Sequence, residues 1–470
     1  MVEIFLEFVN KFLGRAPLLL GTVTLIGYLL LRQPRKAIPG FIKAYVGFRI
    51  LQVGAGGLVG TFRPIIDAVR ERFGVSALVI DPYFGQTSAT EGLDVFGSLQ
   101  FVGYVMIIAF AFNILLVALR KYTKIRALFI TGHIMYQQSA VLLWAVYWVI
   151  QGGTGQPVTP LIWIVCGLLI GTYWSVASNL TIEPTQHVTN GAGFSLGHQQ
   201  MFGAWFAYKL GKAVGGNSKS VNEGESSGLT ALLNDNIVAN TVLMTFFVGI
   251  IMLILGRDTF SYNESQYYFA TYIFETTALF AVYIAILQMG VRMFVAELTA
   301  SFHGISDRIL KGAVPAVDCA VTFGFSPNAP SFGFMFGFFG QMIAIVTLIA
   351  VGSPVIILAG FISLFFDNGT LAVYANASGG RRAAAIIPFV SGLIQVFGSA
   401  AVLTVLRDSP NIVGWMGMFD WATLWSGTVL LTDVLGIIIP ILLIPALLII
   451  PQIQYRRQKE NYFTTMRADQ

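Results

Sequence analysis

Two short polar stretches, TGHIMYQQ at 131–138 and GFSLGHQQ at 193–200, hold two of the chain's four histidines, each beside a glutamine pair. On a helix His133 and Gln137 share one face, with Tyr136 next to His133. That face offers a ring nitrogen, an amide and a phenol without a fixed charge. Such neutral hydrogen bonding suits a polyhydroxylated or weakly acidic solute better than an inorganic ion; a purely structural interhelical network is the alternative. No second histidine or carboxylate stands at the matching helical position, so no metal is expected. His198 and Gln199 are adjacent and diverge by about 100° on a helix, so they can meet one ligand only at a helix end or in a loop. Gly191, Gly193 and Gly197 predict such a break, with Phe202 and Trp205 as apolar walls beyond it. Asp318, set among Val317, Cys319 and Ala320, must be protonated, paired or bonded to donors. Sugar-type hydroxyls are good donors for it. Arg292 and Glu297 are expected to pair with each other along one helix as a structural feature.

The elements that must position these residues are written in the composition. Hydrophobic residues make up 56% of the 470 and charged residues 11%, against about a quarter charged in a soluble domain. Mean hydropathy is +0.73. The chain therefore reads as an all-α polytopic membrane protein, because backbone groups inside a bilayer must be satisfied within each segment. Apolar runs of spanning length lie near 17–32, 40–60, 98–119, 129–151, 158–180, 236–256, 270–300, 332–351, 353–375, 383–406 and 425–450. Basic residues gather at Arg32–Lys43, at Arg120–Arg126 and at Arg456–Lys459, and the positive-inside rule puts all three groups in the cytoplasm. The N-terminus is then outside, the C-terminus inside, and the number of spans odd; eleven fits best. The net charge of +5 is explained by these span ends and carries no nucleic-acid signal. Met1–Pro17 lacks a cleavable signal pattern and is expected to remain as an anchor. Cys166 and Cys319, with no CxxC spacing, read as buried packing residues.

Glycine and proline interrupt several apolar runs, at Gly54–Gly57, at Asp81-Pro82-Tyr83, at Gly191–Gly193 and at Ser326–Pro330. Breaks at membrane depth are tolerated where the backbone is buried or lines a cavity, and half-helix ends there offer free N–H and C=O groups to a ligand. For Gly54–Gly57, close helix packing is an equal alternative. Two halves, roughly 16–210 and 236–450, are separated by a polar loop at 211–230 that reads as flexible. They echo one another: GFRILQV at 47–53 against GVRMFVA at 290–296, then a charged amphipathic stretch, then Asp81 against Asp318. A five-span unit repeated in this way sits inverted in the membrane, with the substrate site at the repeat interface. Nucleotide-binding and hydrolase motifs are missing, so the energy must come from a gradient or from a partner protein.

The segments APLLLG at 16–21, TGHIM at 131–135, GFSLGHQQ at 193–200, VRMFVAEL at 291–298 and WMGMFD at 415–420 resemble, in the same order, the ascorbate-type membrane component (IIC) of the bacterial phosphoenolpyruvate-dependent phosphotransferase system. The similarity runs from about residue 16 to about 450. It implies one IIC transmembrane domain over 1–470, without a soluble IIA or IIB domain. It also implies an eleven-span homodimer in the bacterial inner membrane, with a core domain that holds L-ascorbate and a V-shaped domain that forms the dimer contact. Transport resembles an elevator-like movement, and a cytosolic IIB protein, charged by IIA, transfers phosphate from its cysteine to the substrate. Carried over by motif, the ligand positions are Pro82, Tyr83, His133, Gln137, His198, Gln199 and Asp318, with the backbone at Gly54 and Ala55 close by. No cofactor and no catalytic nucleophile of its own are implied. Pro82 and Ala55 depart from the family pattern, where hydroxyl side chains are familiar, and each loses one hydrogen-bond option worth roughly 1 kcal/mol. Asp318 opposes the anion, so it either accepts from a hydroxyl away from the enolate or is protonated. The competing reading is a proton- or sodium-coupled transporter of a sugar acid or other organic acid. A membrane enzyme acting on lipid is disfavoured by the lack of a clustered nucleophile, base or metal set.

Overall fold

The computed structural model describes residues 11, 16–73, 77–223, 236–260, 268–308, 310, 312–360, 362–458 and 462–463. Most of the expected anchor segment Met1–Pro17 lies outside them. The first half runs α1 (Ala16–Leu30), α2 (Pro34–Phe73), β1 (Ala77–Ile80), α3 (Pro82–Val95), α4 (Phe101–Ala118), β2 (Ala127–Phe129), α5 (Gly132–Gln151), α6 (Pro160–Leu180), α7 (Ile182–Thr189), β3 (Ser195–Leu196) and α8 (Met201–Gly215). The second runs α9 (Asn236–Leu255), α10 (Phe269–Arg308), β4 (Val314–Val317), α11 (Ala329–Ala350), β5 (Ile356–Ala359), α12 (Asn368–Leu406), β6 (Gly414–Trp415), α13 (Ser426–Leu435) and α14 (Ile438–Gln458).

Among the described residues five helices are long and apolar enough to cross a membrane: α4, α6, α11, α14 and the continuous rod Ser363–Leu406 that includes α12. The protein is thus an all-α, multi-pass membrane protein. One expected span is corrected. The run 353–375 does not form a helix of its own, because its first part pairs as β5 and a π-helical turn at Ser363–Asp367 leads straight into α12. The spans expected at 353–375 and 383–406 thereby share one helix, bent at Gly380, whose φ of 65° is open to glycine.

The two 40-residue helices α2 and α10 lie along one another with α1 and α9 beside them, while most other elements pack among themselves. Gly54–Gly57 falls inside unbroken α2, which overturns the break considered there. A Cβ on Gly57 would stand 2.2 Å from the Tyr283 ring of α10, so this glycine lets the helices approach closely. Glu297 of α10 takes its partners from the neighbouring helices, Lys43 at 2.9 Å and the Tyr28 hydroxyl at 2.7 Å, and not Arg292 as its spacing suggested. An interhelical pair ties two elements together, which a pair within one helix cannot do.

Where helices break, the freed backbone groups are satisfied by two small parallel sheets, ordered β5-β1-β6 and β2-β4-β3. They have matching construction. In the first, Ala77 opposes Ile356 and Val79 opposes Gly414; in the second, Val314 opposes Ala127 and Ala316 opposes Ser195. Each centre strand comes from one half and both its flanking strands from the other, and each centre strand leads into an aspartate, Asp81 or Asp318.

The break at Ser326–Pro330 is present, with Pro330 in the first turn of α11. The expected flexible loop is corrected over its first part. Lys219 O accepts from Arg381 N at 2.8 Å, Asn376 Oδ1 from Val221 N at 2.9 Å, and Asn222 Nδ2 donates to Ser326 Oγ at 2.9 Å. Polar composition signalled exposure there, but these groups serve as ties across the Gly380 bend and the Ser326 turn. Residues 224–230 of that loop lie outside the described part.

Candidate functional site

His133 and Gln137 sit in the first turns of α5, immediately beyond strand β2. β3 ends at Leu196 and helix resumes only at Met201, so Gly197–Gln200 forms the predicted break. Gly197 is required there, since a Cβ would meet the Ala316 carbonyl oxygen of β4 at 2.6 Å. Asp318 follows β4 directly. Adjacent strands of one sheet thus deliver three polar groups to the same point. His133 Nε2 is 3.5 Å from Asp318 Oδ2 and His198 Nε2 is 3.9 Å from Asp318 Oδ1. The two imidazole rings stand edge-on with centroids 6.5 Å apart. His198 and Asp318 are buried, whereas the His133 side chain keeps 29% of its surface and forms the open edge. Phe48 of α2 lies against His133 at 5.7 Å between centroids, so the long-helix group touches the site.

The glutamines divide the labour. Gln199 Nε2 donates to Gln137 Oε1 at 3.1 Å, and Gln199 Oε1 accepts from Gln138 at 2.9 Å and from Trp421 Nε1 at 2.7 Å. Gln138 in turn accepts from Trp174 Nε1 at 2.6 Å. Gln199 and Gln138 are therefore committed to holding the break against α5 and α6. Gln137 uses its Oε1 for Gln199, and no described partner takes its Nε2 hydrogens. Gln200 sets the tautomer of His198. Its nitrogen donates to Phe366 O and Thr370 Oγ1, so its oxygen faces His198 Nδ1, at 2.7 Å, and receives the ring N–H. In the neutral ring the Nε2 lone pair then points towards the Asp318 carboxyl. Two acceptors confronting each other call for a hydrogen donor or a cation between them.

A second buried network fixes the start of α8. Asp420 Oδ2 accepts from Tyr173 OH at 2.6 Å and Phe202 N at 2.9 Å, and its Oδ1 accepts from Gly203 N at 2.9 Å. A carboxylate from a distant segment thereby satisfies the open first-turn amides. Asp367 Oδ2 accepts from Phe419 N at 2.7 Å and from Gln395 Nε2, which holds the WMGMFD segment in place. Sequence reasoning gave no role to Gln138, Gln200 or Asp367 and missed this role of Asp420: each stood out as a polar group in an apolar run, but its partners lie on segments far along the chain.

The remaining expected positions fall elsewhere. Pro82 is buried and opens α3 beyond β1, the centre strand of the other sheet, and Asp81 beside it accepts from Ile362 N at 3.1 Å. Gly54 is buried within α2. No described contact joins Pro82 or Gly54 to the His133–His198–Asp318 cluster. The side chains of Tyr83 and Ala55 lie outside the described residues.

A family model for the PTS system sugar-specific permease component matches residues 11–428. The ascorbate-specific PTS system EIIC component of Mycoplasma pneumoniae is 34% identical over 445 residues, which cover 86% of this chain and 67% of that relative.

Proposed function

The chain belongs to the PTS sugar-specific permease family, and from that premise we propose that it is the subunit that carries L-ascorbate across the bacterial inner membrane for phosphorylation by a separate IIB protein. The observation that carries this reading is the convergence of His133, Gln137, His198 and Asp318 at the ends of broken segments from both halves. Ascorbate is a small ring with several hydroxyls. Its hydroxyl hydrogens answer the acceptors that face each other at His198 Nε2 and Asp318 Oδ1, while the free Gln137 amide hydrogens answer its oxygens. Asp318 then accepts from a hydroxyl remote from the enolate and escapes repulsion by the anion. Pro82, Tyr83, Gly54, Ala55 and Gln199 complete the proposed site, Gln199 by holding Gln137. The match to an ascorbate-specific relative supports the choice of substrate.

The movement is elevator-like: the elements around the two sheets travel as a core, and α1, α2, α9 and α10 form the scaffold through which two copies dimerise. Residues 16–210 and 236–450 act as inverted repeats. The N-terminus is periplasmic and the C-terminus cytoplasmic; in support, Lys124 of the second basic group packs over the Tyr455 ring at 4.1 Å, next to Arg456 and Arg457 of the third. Phosphate comes from a IIB phosphocysteine charged by IIA. The test is reconstitution in liposomes with labelled ascorbate. Internal ascorbate phosphate formed only when phospho-IIB is supplied supports the reading. Accumulation of unmodified ascorbate against its gradient without IIB would overturn it in favour of an ion-coupled transporter.

A further inference from the structure

The arrangement that suits a hydroxylated ring also meets the requirements of a different ligand. His133, His198 and Asp318 each present one ligand atom, and these atoms lie within 4.8 Å of one another. A tetrahedral zinc with bonds near 2.0–2.2 Å holds its ligand atoms about 3.4 Å apart. His133 Nε2 lies 3.5 Å from Asp318 Oδ2 and His198 Nε2 3.9 Å from Oδ1, so a metal drawing on one atom of each residue, all within 4.8 Å, would have to pull the side chains together by up to about 1.4 Å, a side-chain adjustment. The Gln200 oxygen on His198 Nδ1, at 2.7 Å, is the outer-shell contact that keeps a ligating histidine in its metal-binding tautomer. Asp318 is held in turn, its Oδ1 accepting from Ala320 N at 3.0 Å. The partly open His133 edge supplies an entry path and leaves the fourth position to water. Helical spacing alone argued against a metal; the sheet brings together what spacing keeps apart.

We propose that His133, His198 and Asp318 form a zinc-class metal site in the substrate-free protein, and that metal and substrate exclude one another there. The metal binding stands on the triad alone, whereas the exclusion rests on the reading of these residues as the substrate site. Two nitrogen donors and one carboxylate select zinc over magnesium, which prefers an all-oxygen, octahedral shell.

The experiment titrates zinc chloride into the purified full-length protein in detergent by calorimetry, with magnesium chloride as a parallel titration and a zinc–ascorbate blank without protein. Saturable zinc binding with no magnesium binding is expected. Asp318→Asn and His133→Gln should each weaken it roughly tenfold or more, both checked by gel filtration. His133→Gln is the safer variant, because His133 Nδ1 has no described partner to lose. Zinc binding that is absent, or unchanged in both folded variants, overturns the metal site. If ascorbate binds the protein yet leaves zinc affinity unaltered, the exclusion is overturned. If ascorbate does not bind at all while the variants behave as expected, the metal site is upheld and the substrate reading fails separately.

Discussion

At the level of single residues, neighbours in sequence do different work. The amide hydrogens of Gln137 have no described partner, which is what the proposed site uses, while Gln138 bridges Trp174, Gln199 and the His198 carbonyl oxygen. Gln138→Leu leaves the buried Trp174 N–H without an acceptor, a penalty of about 1–3 kcal/mol, so the variant should melt well below the parent in detergent. Gln137→Leu removes one such bond, the acceptor of Gln199 Nε2, against three for Gln138→Leu, so it should melt nearer the parent and in addition weaken ascorbate binding several-fold, since one direct ligand bond is worth about 1 kcal/mol. Equal effects of the two variants on melting and binding would refute this division. Asp318→Asn keeps the side-chain shape but replaces one acceptor oxygen by a donor amide, and a buried group left unmatched costs about 1–3 kcal/mol. Uptake by that variant should fall at least roughly tenfold; undiminished uptake would remove Asp318 from the site. The His133–Gln137 pair was legible because both residues lie on one helix and obey its period. Gln138 and Gln200 were not, because their partners sit on elements that no local spacing relates to them.

At the level of elements, the breaks were easier to read than their consequences. Gly197 marked the interruption before α8 correctly, since a polar, glycine-rich stretch between apolar runs has few other meanings. Gly54–Gly57 carried the same signal and proved to be close packing in α2, because glycine serves both uses and composition does not separate them. The strands were illegible. Runs of 2–4 paired residues are too short to show alternation, and parallel pairing depends on partners far along the chain. The polar loop read as flexible for the same reason, its ties to Asn376 and Ser326 being long-range. Gly197 gives the clearest element-scale test. The carbonyl oxygen of Ala316 leaves no room for a methyl group, and backbone cannot move aside as a side-chain tip can. Gly197→Ala should therefore destabilise the protein by about 1–3 kcal/mol and abolish substrate binding by displacing His198. Gly427→Ala in α13, where a Cβ meets nothing within 4 Å, is the matched control and should melt like the parent. A Gly197→Ala protein with unchanged melting temperature and affinity would show that the β3–β4 approach is not what sets the site.

For the molecule as a whole, the sequence echo sets Gly47 against Gly290 and Asp81 against Asp318, and each aspartate follows the centre strand of a small sheet, but the echo says nothing of how the two halves are joined. Two halves side by side would each keep their own strands. Here β1 is sandwiched between β5 and β6 of the second half, and β4 between β2 and β3 of the first. Neither half can satisfy the backbone of its own broken segments, and inside a bilayer each unsatisfied group is costly. The chain connection between residues 223 and 236 contributes none of these strand pairs. Cutting the gene there and expressing both fragments together should restore a complex that co-elutes on gel filtration and takes up ascorbate when phospho-IIB is present. Each fragment expressed alone should aggregate or be degraded, because its centre strand has no neighbours and its aspartate no site to complete. A single half that elutes as a sharp, thermally cooperative species would mean that the sheets form within a half, and the interlocked arrangement would then be wrong. The same interlock explains why the candidate site draws His133 and His198 from one half and Asp318 from the other: a site made at a shared sheet belongs to both halves of the chain.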